Sequence, residues 1–448
     1  MDNKTFNQLK KYSDANGVVT ALDDNITMKL NAYGLYEESI IDETKTINDK
    51  ALQVMSHLNT HTNETKIGET LFSHIKQIKF NEQLGYYQNL YAGYVLEDNY
   101  REIATAGGIA TWLFSELFKR DLIDGVIHVK QNKDKDSHLL FKYDISYSVD
   151  EIKKGAKSKY YPVEMSEVLK VVKDKPGRYA LIGGPSFIMS CRLLAETKPI
   201  FKERIKFMIG LITGHQKSSR FAESLAWQAG IAPGQLSYID FRKPIIGKPA
   251  SDYAVELKGY VDHQLKTIIK PMKSFIDQDW GEGYFKTLAS DFLDDVFNET
   301  ADVTLGDAWL DNYNDDIDGT NVVITRNEII DQILKEGHKQ QQLKLDVLTE
   351  QEVMDTQTSH YRHTHDELKY RLYKLKIKNQ WYPKKRVEAI NDLSEFRQKV
   401  QDLRALIRKE SHIYYLKALK EKDLNIYLNK MQSLQKMYKK LYKEKNNM

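Results

Sequence analysis

Short apolar runs that end in glycine turns and lead into amphipathic stretches recur through the first 330 residues. Each run predicts a buried or half-buried β-strand, and the predicted strands span residues 126–129, 141–149, 178–184, 206–214 and 321–326. Strand, glycine turn and helix in this order are typical of an α/β sheet that binds ligands at the carboxyl ends of its strands. We therefore predict the α/β class, with a mixed sheet core and crossovers that pass from a glycine turn into a helix.

The clearest such stretch runs from Arg101 to Gln131. Its turn is followed by a helix with apolar residues at helical spacing and then by a strand at Val126–Val129. A glycine turn before a helix presents backbone N–H groups and the positive end of the helix dipole, which suits a phosphate or diphosphate. The turn residues are Thr105, Ala106, Gly107 and Gly108. The alternative is an ordinary joint between a loop and a helix, because short glycine motifs are common.

Two further glycine turns follow predicted strands, at Gly184 and at Gly214-His215. The three turns could converge on one crevice and share a ligand, although helix capping alone would also explain them. The segment Ala301–Trp309 joins a strand to a loop and carries Asp302 and Asp307. No histidine or third carboxylate stands at ligand spacing, so we expect a structural or ligand-hydroxyl role for these carboxylates rather than catalysis.

The two ends of the chain differ from its body. Residues 1–66 are polar, and a β-hairpin with a turn at Tyr33-Gly34 is predicted within them, so this part is expected to be α+β. Near the other end, apolar residues repeat at helical spacing through residues 396–441. We predict a basic, amphipathic helical tail over residues 346–448.

Charge is unevenly distributed along the chain. The formal net charge is +3, so no global field indicates nucleic acid, but residues 361–448 hold 23 Lys and Arg against 10 Asp and Glu. An acidic body with a basic tail predicts either intramolecular docking or binding of a protein partner or an acidic polymer. We expect no nucleic-acid partner, because no base-stacking or groove-reading module accompanies the tail. The run Lys384–Arg386 is interpreted as a solvated helix start rather than a nuclear import signal.

The chain contains one cysteine, Cys191. A disulfide within the chain is therefore impossible, and we expect neither a cysteine-ligated cluster nor a structural zinc. The N-terminus lacks the apolar core of a signal peptide, and no apolar run approaches the ~20 residues that span a bilayer. The expectation is a soluble, cytoplasmic protein.

Four motifs, in order along the chain, resemble those of the coenzyme F-420 hydrogenase/dehydrogenase beta subunit family. They are Arg101 with the turn at 105–108, Gly155 with Ser158-Lys159-Tyr160, Ala301–Trp309, and the strand with arginine at Val322–Arg326. The third motif matches the family's Ala-Asp…Gly-Asp-Ala-Trp almost residue for residue. The resemblance covers about residues 11–326 and implies a two-part core over residues 67–172 and 173–345.

This chain lacks every cysteine that would hold an iron–sulfur cluster in the family. Members carry Gly-Thr-Pro-Cys-Gln and Phe-Cys-His-Gly where this chain has Gly183–Phe187 and Ile212–His215, and no cysteine pair precedes the Ala-Asp motif. The resemblance also implies that residues 1–66 are a ferredoxin-like module whose clusters have been lost. Coincidental similarity in a small hairpin is the alternative. The projected ligand positions are Lys11, Asp14, Gly17, Ala21, Thr46, Asp49, Leu52 and Ser56.

The resemblance implies a flavin, usually FAD, as the cofactor and a small-molecule hydride donor or acceptor as the partner. The glycine turn would hold the diphosphate, Lys159 would supply positive charge, and Asp302 or Asp307 would bind a sugar hydroxyl. The implied cofactor-binding residues are Arg101, Thr105, Ala106, Gly107, Gly108, Lys159, Tyr160, Gly184, Gly214, His215, Asp302, Gly306 and Asp307.

We therefore predict a flavin-dependent oxidoreductase without iron–sulfur clusters that exchanges hydride with a nicotinamide, a deazaflavin or an organic acceptor. Hydride transfer to a flavin needs no metal, because the ring carries the chemistry. Some relatives belong to bacterial surface-polysaccharide pathways, which implies a polysaccharide-related substrate. The alternative is a non-catalytic member that acts as a binding or scaffold protein. No residue is assigned a catalytic role.

Overall fold

The computed structural model describes residues 1–134, 137 and 139–446. The strands are β1 Ile26–Leu30, β2 Tyr36–Ile40, β3 Lys79–Asn81, β4 Gly85–Tyr87, β5 Asn89–Val95, β6 Gly125–Gln131, β7 Phe141–Ser146, β8 Tyr179–Gly183, β9 Ile205–Leu211, β10 Leu236–Pro244, β11 Tyr253–Val261, β12 Gln264–Pro271, β13 Val303–Asp307, β14 Asn321–Thr325 and β15 Leu343–Val347.

The helices lie between and after these strands. They are α1 Asn3–Leu9, α2 Ala51–Val54, α3 Glu64–Phe72, α4 Ile109–Lys119, α5 Val149–Lys154, α6 Ser166–Asp174, α7 Pro185–Thr197, α8 Pro199–Arg204, α9 Ser219–Gln228, α10 Asp311–Asn314, α11 Glu328–Lys339, α12 Glu350–Asp355, α13 Thr358–Thr364, α14 Asp366–Lys376, α15 Glu395–Glu421 and α16 Leu424–Asn446. Short 3-10 turns occur at Lys10–Tyr12, Val18–Ala21, Met272–Ser274, Trp280–Glu282 and Ala289–Phe292.

An eight-stranded mixed sheet forms the centre of the described chain, in the order β15-β5-β14-β13-β9-β8-β6-β7. β6, β8, β9 and β13 are parallel neighbours. β5 runs the same way, because β14 lies antiparallel between β13 and β5. The carboxyl ends of these five strands therefore meet along one edge, which we call the carboxyl edge. The predicted α/β class with a mixed sheet is confirmed.

Alternate residues of the central strands pack on opposite faces of the sheet. In β8, Ala180 belongs to an apolar cluster with Trp112 and Ile330, whereas Leu181 belongs to a second cluster with Ile188. The first face is covered by α4 and α11, and the second by α7 and the N-terminal segment. Strands that are buried on both faces have continuous apolar sequences, which is why they could be predicted from short apolar runs.

The predicted strands correspond to β6, β7, β8, β9 and β14. The strand predicted to extend to Val149 ends at Ser146, because the Ser148 side chain accepts from the Glu151 N–H and so begins α5. The strand predicted to extend to Gly214 ends at Leu211.

β1 and β2 form the hairpin predicted for the N-terminal segment. The positions projected for cluster ligands lie in different environments, since Asp14 and Ser56 are buried while Lys11 is exposed. The Asn16 amide donates both to Asp14 at 3.1 Å and to Ser190 of α7 at 2.9 Å. A hydrogen-bonded polar group thus joins this segment to the body, and the ferredoxin-like origin of the segment stays a prediction.

Residues 236–271, for which the pattern gave no prediction, form a second sheet. It is three-stranded and antiparallel, in the order β10-β11-β12. Register shifts interrupt the pairing of β10 with β11, at Leu236/Tyr238 and at Asp240/Lys243. Such irregularities break the two-residue alternation that reveals a strand in the sequence.

The C-terminal tail packs on this second sheet. α15 and α16 share an apolar cluster with α9, β10 and β11. Within it, the Tyr415 and Tyr427 rings lie 5.5 and 5.6 Å from the ring of Phe285. The structure therefore shows the first of the two situations predicted for a basic tail on an acidic body, which is docking within the chain.

In the run Lys384–Arg386, Lys384 is exposed, but the side chains of Lys385 and Arg386 are only 5% and 17% exposed. The run begins no helix, which corrects the interpretation as a solvated helix start. The Arg386 guanidinium lies 2.5 Å from Glu299 and 3.8 Å from Glu64. It also lies 3.5 Å from Asp294. Carboxylates buried in the body need cations beside them, and these cations come from the tail.

The predicted domain boundaries after residues 66, 172 and 345 fall inside α3, α6 and β15. The division of the chain therefore stays a prediction. Across the described ranges, no helix has the length and apolarity that crossing a bilayer requires.

Candidate functional site

The loop after β5 is fixed by Arg101. Its guanidinium lies 3.7 Å from the centre of the Tyr94 ring. It donates to the Gly319 carbonyl at 2.9 Å and pairs with Asp316. Arg101 therefore holds the glycine turn against the loop that precedes β14, and its polar contacts lie within the chain.

The backbone conformation of the turn explains why it contains two glycines. Gly107 and Gly108 have φ values of +59° and +81°, which favour glycine. A Cβ on Gly108 would lie 2.7 Å from the Tyr100 carbonyl oxygen. The Gly107 N–H donates to the Gly319 carbonyl at 3.1 Å, and the Gly108 N–H donates to the Ala106 carbonyl at 2.6 Å. The two N–H groups predicted to hold a diphosphate thus already have acceptors within the chain.

The loop between α5 and α6 lies against this turn. The Ser158 N–H donates to the Thr105 hydroxyl at 2.8 Å. The Lys159 ammonium is buried, and it donates to the Ala156 carbonyl at 2.6 Å and to the Gly155 carbonyl. Burial lowers the pKa of Lys159 to about 7. A lysine with this pKa can hold or release a proton near neutral pH.

Asp307 lies at the carboxyl end of β13 and accepts from Arg242 of β10 at 2.8 Å. A small pocket separates Asp307 from the glycine turn, and its lining includes Ala106, Trp309 and Gly319. Asp307 therefore lines a small pocket at the carboxyl edge while it is paired with Arg242. The preceding Gly306 has a packing role, because a Cβ there would lie 2.7 Å from the Ile212 side chain.

Asp302 lies at the other end of β13, roughly 16 Å from Asp307 at the usual rise of an extended strand. It is buried, and its Oδ2 accepts from Arg192 at 3.0 Å and from the Met208 N–H at 2.7 Å. Its Oδ1 accepts from the Asn327 amide at 3.3 Å. Asp302 thus lies at the end of β13 opposite the carboxyl edge, and both of its carboxylate oxygens have partners within the chain. This corrects the predicted contact of Asp302 with a cofactor sugar. Of the two roles considered, the structural one fits, since Asp302 ties α7 and β9 to Asn327, which caps the start of α11.

An aromatic group occupies the carboxyl edge beyond β9. The rings of Tyr160 and His215 lie 4.6 and 4.7 Å from the ring of Trp280. A Cβ on Gly214 would still be 4.0 Å from Trp280, and Gly214 does not have a positive φ. Neither packing nor backbone conformation requires glycine at this position, so Gly214 leaves open space beside the three rings.

His215 is half-buried, and its Nε2 atom is buried without a hydrogen-bond partner within the described chain. Burial, reinforced by Lys217 and Lys286, holds the pKa of His215 well below its usual value, so the ring is neutral. Gly184 begins the crossover from β8, and a Cβ there would lie 3.2 Å from the Thr213 hydroxyl. The second and third glycine turns are therefore adjacent.

The predicted residues thus form two groups on one edge of the sheet. The first surrounds the glycine turn, with Arg101, Lys159 and Asp307, and the second surrounds the open space at Gly214. The sequence analysis missed Arg242 and Trp280. Trp280 stands beside glycine in a polar segment, which could have indicated a binding residue, but nothing in the sequence connects Arg242 to Asp307.

Metal ligation has no support in the part of the chain that the structure describes, since no three His, Cys, Asp or Glu side chains are grouped to hold an ion. Cys191, the sole cysteine of the chain, is buried in α7. It lies outside both groups of predicted residues.

Two segments of the chain match one protein family, described as "Coenzyme F420 hydrogenase/dehydrogenase, beta subunit". Residues 90–170 match the N-terminal model of this family, and residues 177–351 match the model of its C terminus. No curated protein sequence matches significantly.

Among solved structures, the chain is similar to a chain of the F420-reducing [NiFe] hydrogenase complex from Methanosarcina barkeri, in a structure derivatized with xenon. The two share 15% sequence identity with a TM-score of 0.50, and the match covers 68% of this chain and 98% of the other. At this identity the likeness concerns the fold alone.

Proposed function

This chain belongs to the coenzyme F420 hydrogenase/dehydrogenase beta subunit family, and on that premise we propose that it is a flavin-dependent oxidoreductase without an iron–sulfur cluster. We propose that it binds FAD and transfers hydride between the flavin and a nicotinamide, a deazaflavin or an organic substrate. One observation carries the proposal. Loops that follow β5, β9 and β13 place Thr105, Gly214, His215 and Asp307 along one edge of the sheet, where α/β folds bind their ligands.

We propose that the flat ring of the flavin binds beside Gly214. Neither the backbone nor packing requires glycine at Gly214. The Trp280 ring lies 4.0 Å from the position that a Cβ would take there, and the rings of Tyr160 and His215 lie against Trp280. The unpartnered Nε2 of His215 offers a hydrogen bond to a polar edge of such a ring. We therefore assign the ring side of the proposed FAD site to Tyr160, Gly184, Gly214 and His215.

The glycine turn fits a diphosphate less well, because the N–H groups of Gly107 and Gly108 have internal acceptors. The remaining support for phosphate there is the positive end of α4 and the ammonium of Lys159. We assign the phosphate and sugar side to the turn at Thr105–Gly108, to Lys159 and to Asp307.

When bound, FAD would supply the ring that accepts and returns hydride. The residues of the chain would do the rest. Lys159, whose pKa burial lowers to about 7, would place a positive charge near the reduced cofactor. Tyr160 and Trp280 would exclude water from one side of the site. The Arg242–Asp307 pair, with its 2.8 Å contact, would present a fixed acceptor to a hydroxyl group.

The test begins with the visible spectrum of the purified chain, where a flavin gives bands in the blue. The chain is then titrated with FAD, and iron and acid-labile sulfide are measured on the same sample. We expect saturable FAD binding at micromolar concentrations and no stoichiometric iron. A chain that binds no flavin at these concentrations would contradict the proposal.

Gly214→Val is the informative variant. Its side chain would fill the space beside Trp280, and the absence of a positive φ lets the backbone accept it. We expect FAD affinity to fall at least about tenfold while circular dichroism stays unchanged, since a blocked approach removes ring contacts. Gly68→Ala in α3, where a Cβ meets nothing closer than 3.5 Å, is the control away from the edge.

A second function, that of a non-catalytic binding or scaffold protein, is favoured by the occupied N–H groups at Gly107 and Gly108. This alternative predicts a folded chain whose spectrum and stability do not respond to FAD. The substrate, including a polysaccharide-related one, would then be a ligand rather than a hydride donor or acceptor.

A further inference from the structure

Lys217 and Lys286 lie directly opposite each other in an isolated antiparallel bridge. Opposed residues in such a bridge carry their side chains on the same side, where like charges repel. Both lysines are buried, with exposures of 2% and 5%. Burial lowers the pKa of Lys217 to about 7 and that of Lys286 to about 8. Keeping both lysines charged needs negative charge nearby, because an unpaired buried charge is strongly unfavourable.

The carboxylates of the described chain supply this charge to one lysine and not to the other. Lys286 pairs with Asp291 at 2.6 Å, and Asp291 is shared with Arg408 at 3.1 Å. Within the described residues no Asp or Glu forms an ion pair with Lys217, whose ammonium donates to the Tyr284 carbonyl at 2.6 Å. Asp277 and Asp279 raise the pKa of Lys217 against the effect of burial, and neither forms an ion pair with it within the described chain. The Lys217 ammonium also lies 4.7 Å from the ring centres of Phe221 and Trp280. When both lysines are protonated, the described residues therefore give a carboxylate ion pair to Lys286 and none to Lys217.

The other carboxylates close to this region already have partners. Glu367 contacts His363 at 3.0 Å and Arg404 at 3.3 Å. Asp277 accepts from the Ser224 hydroxyl at 2.6 Å and also from Gln228 and Tyr427. Neither acid is free to turn towards Lys217.

Two histidines beside the lysines have ring nitrogens without partners. The Nε2 atoms of His215 and His360 are buried and lack a hydrogen bond within the described chain. Burial and the positive charge of Lys286 lower the pKa of both histidines, and His360 lowers the pKa of His215 further. Buried polar atoms of this kind are rare in folded chains unless something else satisfies them.

We propose that His215, Lys217, Lys286 and His360, the lysine–histidine cluster, bind a phosphate group. Lysine ammonium and imidazole N–H groups donate to phosphate oxygens, and a doubly charged anion matches two lysines. The cluster shares His215 with the proposed ring site. It goes beyond the proposed flavin chemistry at the two lysines and at His360, which comes from α13 in the C-terminal tail. That helix lies outside both matched family segments, at residues 90–170 and 177–351.

The experiment titrates the full-length chain with sodium phosphate, with sodium chloride of equal ionic strength as the reference, and follows binding by calorimetry and thermal unfolding. We expect a saturable, phosphate-specific stabilisation. Lys217→Met should weaken phosphate binding about tenfold or more, since it removes a charge-assisted hydrogen bond. Lys206→Met, at an exposed lysine of β9, is the matched control and should bind phosphate like the wild type.

Lys217→Met removes a buried charge that has no carboxylate, so this variant should fold. His360→Phe keeps a ring but removes its nitrogens, and should show the same loss of phosphate binding. The proposal is wrong if phosphate stabilises the wild type no more than chloride does, or if the folded Lys217→Met chain binds phosphate as tightly as the wild type.

FAD and glucose 1-phosphate distinguish the sources of the phosphate group. Competition between FAD and phosphate would assign the cluster to the cofactor. Binding of phosphate or the sugar phosphate in the presence of saturating FAD would assign it to a substrate or to free phosphate. Because the first titration contains no flavin, its outcome is independent of whether the chain binds FAD.

Discussion

Lys385 Nζ lies 3.1 Å from Asp294 Oδ1, and the two side chains are 5% and 1% exposed. The Arg386 N–H donates to the same carboxylate at 3.0 Å. Burial alone would raise the pKa of Asp294, but Lys385 and Arg386 hold it well below its usual range. The charge of Asp294 in the body is therefore stabilised by Lys385 and Arg386 of the tail.

Asp294→Asn should destabilise the chain by about 3–5 kcal/mol, because Lys385 and Arg386 would stay buried with one carboxylate fewer. Urea unfolding measures this loss. Asp392→Asn is the control in the same tail, since Asp392 pairs with Lys369 at 3.2 Å on the surface. An exposed pair of this kind contributes only about 0–1 kcal/mol. Equal losses in the two variants would show that the buried contact does not hold the tail.

Gly108→Ala should destabilise the chain whether or not a ligand is present. The φ of +81° costs a side chain about 1–2 kcal/mol. The added Cβ would also lie 2.7 Å from the Tyr100 carbonyl oxygen. Gly230→Ala isolates the first effect, because Gly230 has a φ of +98° and no atom within 4 Å of a Cβ. Thermal unfolding should therefore show the larger loss at Gly108, and a reversed order would contradict the packing argument.

The stability of the chain should fall as the pH is lowered below about 6.5, the usual value for histidine. Burial, with Lys159 and Lys130, lowers the pKa of His128 to about 3. The unfolded chain therefore binds a proton that the folded chain does not. The stabilisation is complete above the unfolded pKa and is lost as the pH falls towards the folded one.

His128→Asn should reduce this pH slope by about one proton, which corresponds to about 1.4 kcal/mol per pH unit. Urea unfolding at several pH values between 7 and 4 measures the slope. The same substitution at the exposed His74 is the control. If both variants change the slope equally, burial of His128 is not its cause.

Cys191 should be unreactive in the native chain. It is fully buried, and burial raises its pKa to about 12, so the thiolate that reacts with disulfide reagents is scarce at neutral pH. Ellman's reagent should modify it only after unfolding in urea. Reaction of the native chain at the rate of the unfolded chain would show that α7 opens locally.

The strands and glycine turns of the central sheet could be predicted because their signals are local. An apolar run such as Ile205–Leu211 shows its burial in its own sequence, and a glycine shows where the backbone turns. The same local signal does not show which backbone groups are free to bind a ligand. Gly107 and Gly108 look like a phosphate loop, but the carbonyls of residues 106 and 319 that occupy their N–H groups depend on the packed structure.

The features that the sequence did not reveal depend on residues far apart in the chain. Lys385 and Arg386 form a charge run that is usually solvated, and only the fold brings them to Asp294, 91 and 92 positions earlier. Arg242 reaches Asp307 over 65 positions. A charged side chain gives no sequence signal of its distant partner, so neither pair could be predicted without the structure.

The position of Arg386, between Glu64, Asp294 and Glu299, has a consequence for biosynthesis. The three carboxylates leave the ribosome well before the arginine that neutralises them, and chains fold from their N-terminal parts at about 5–20 residues per second. Until residue 386 emerges, we expect this acidic group to stay hydrated, because burying it without its cation is unfavourable. A chain truncated before residue 385 should therefore be less stable than the full-length chain, because the buried carboxylates would lack Lys385 and Arg386.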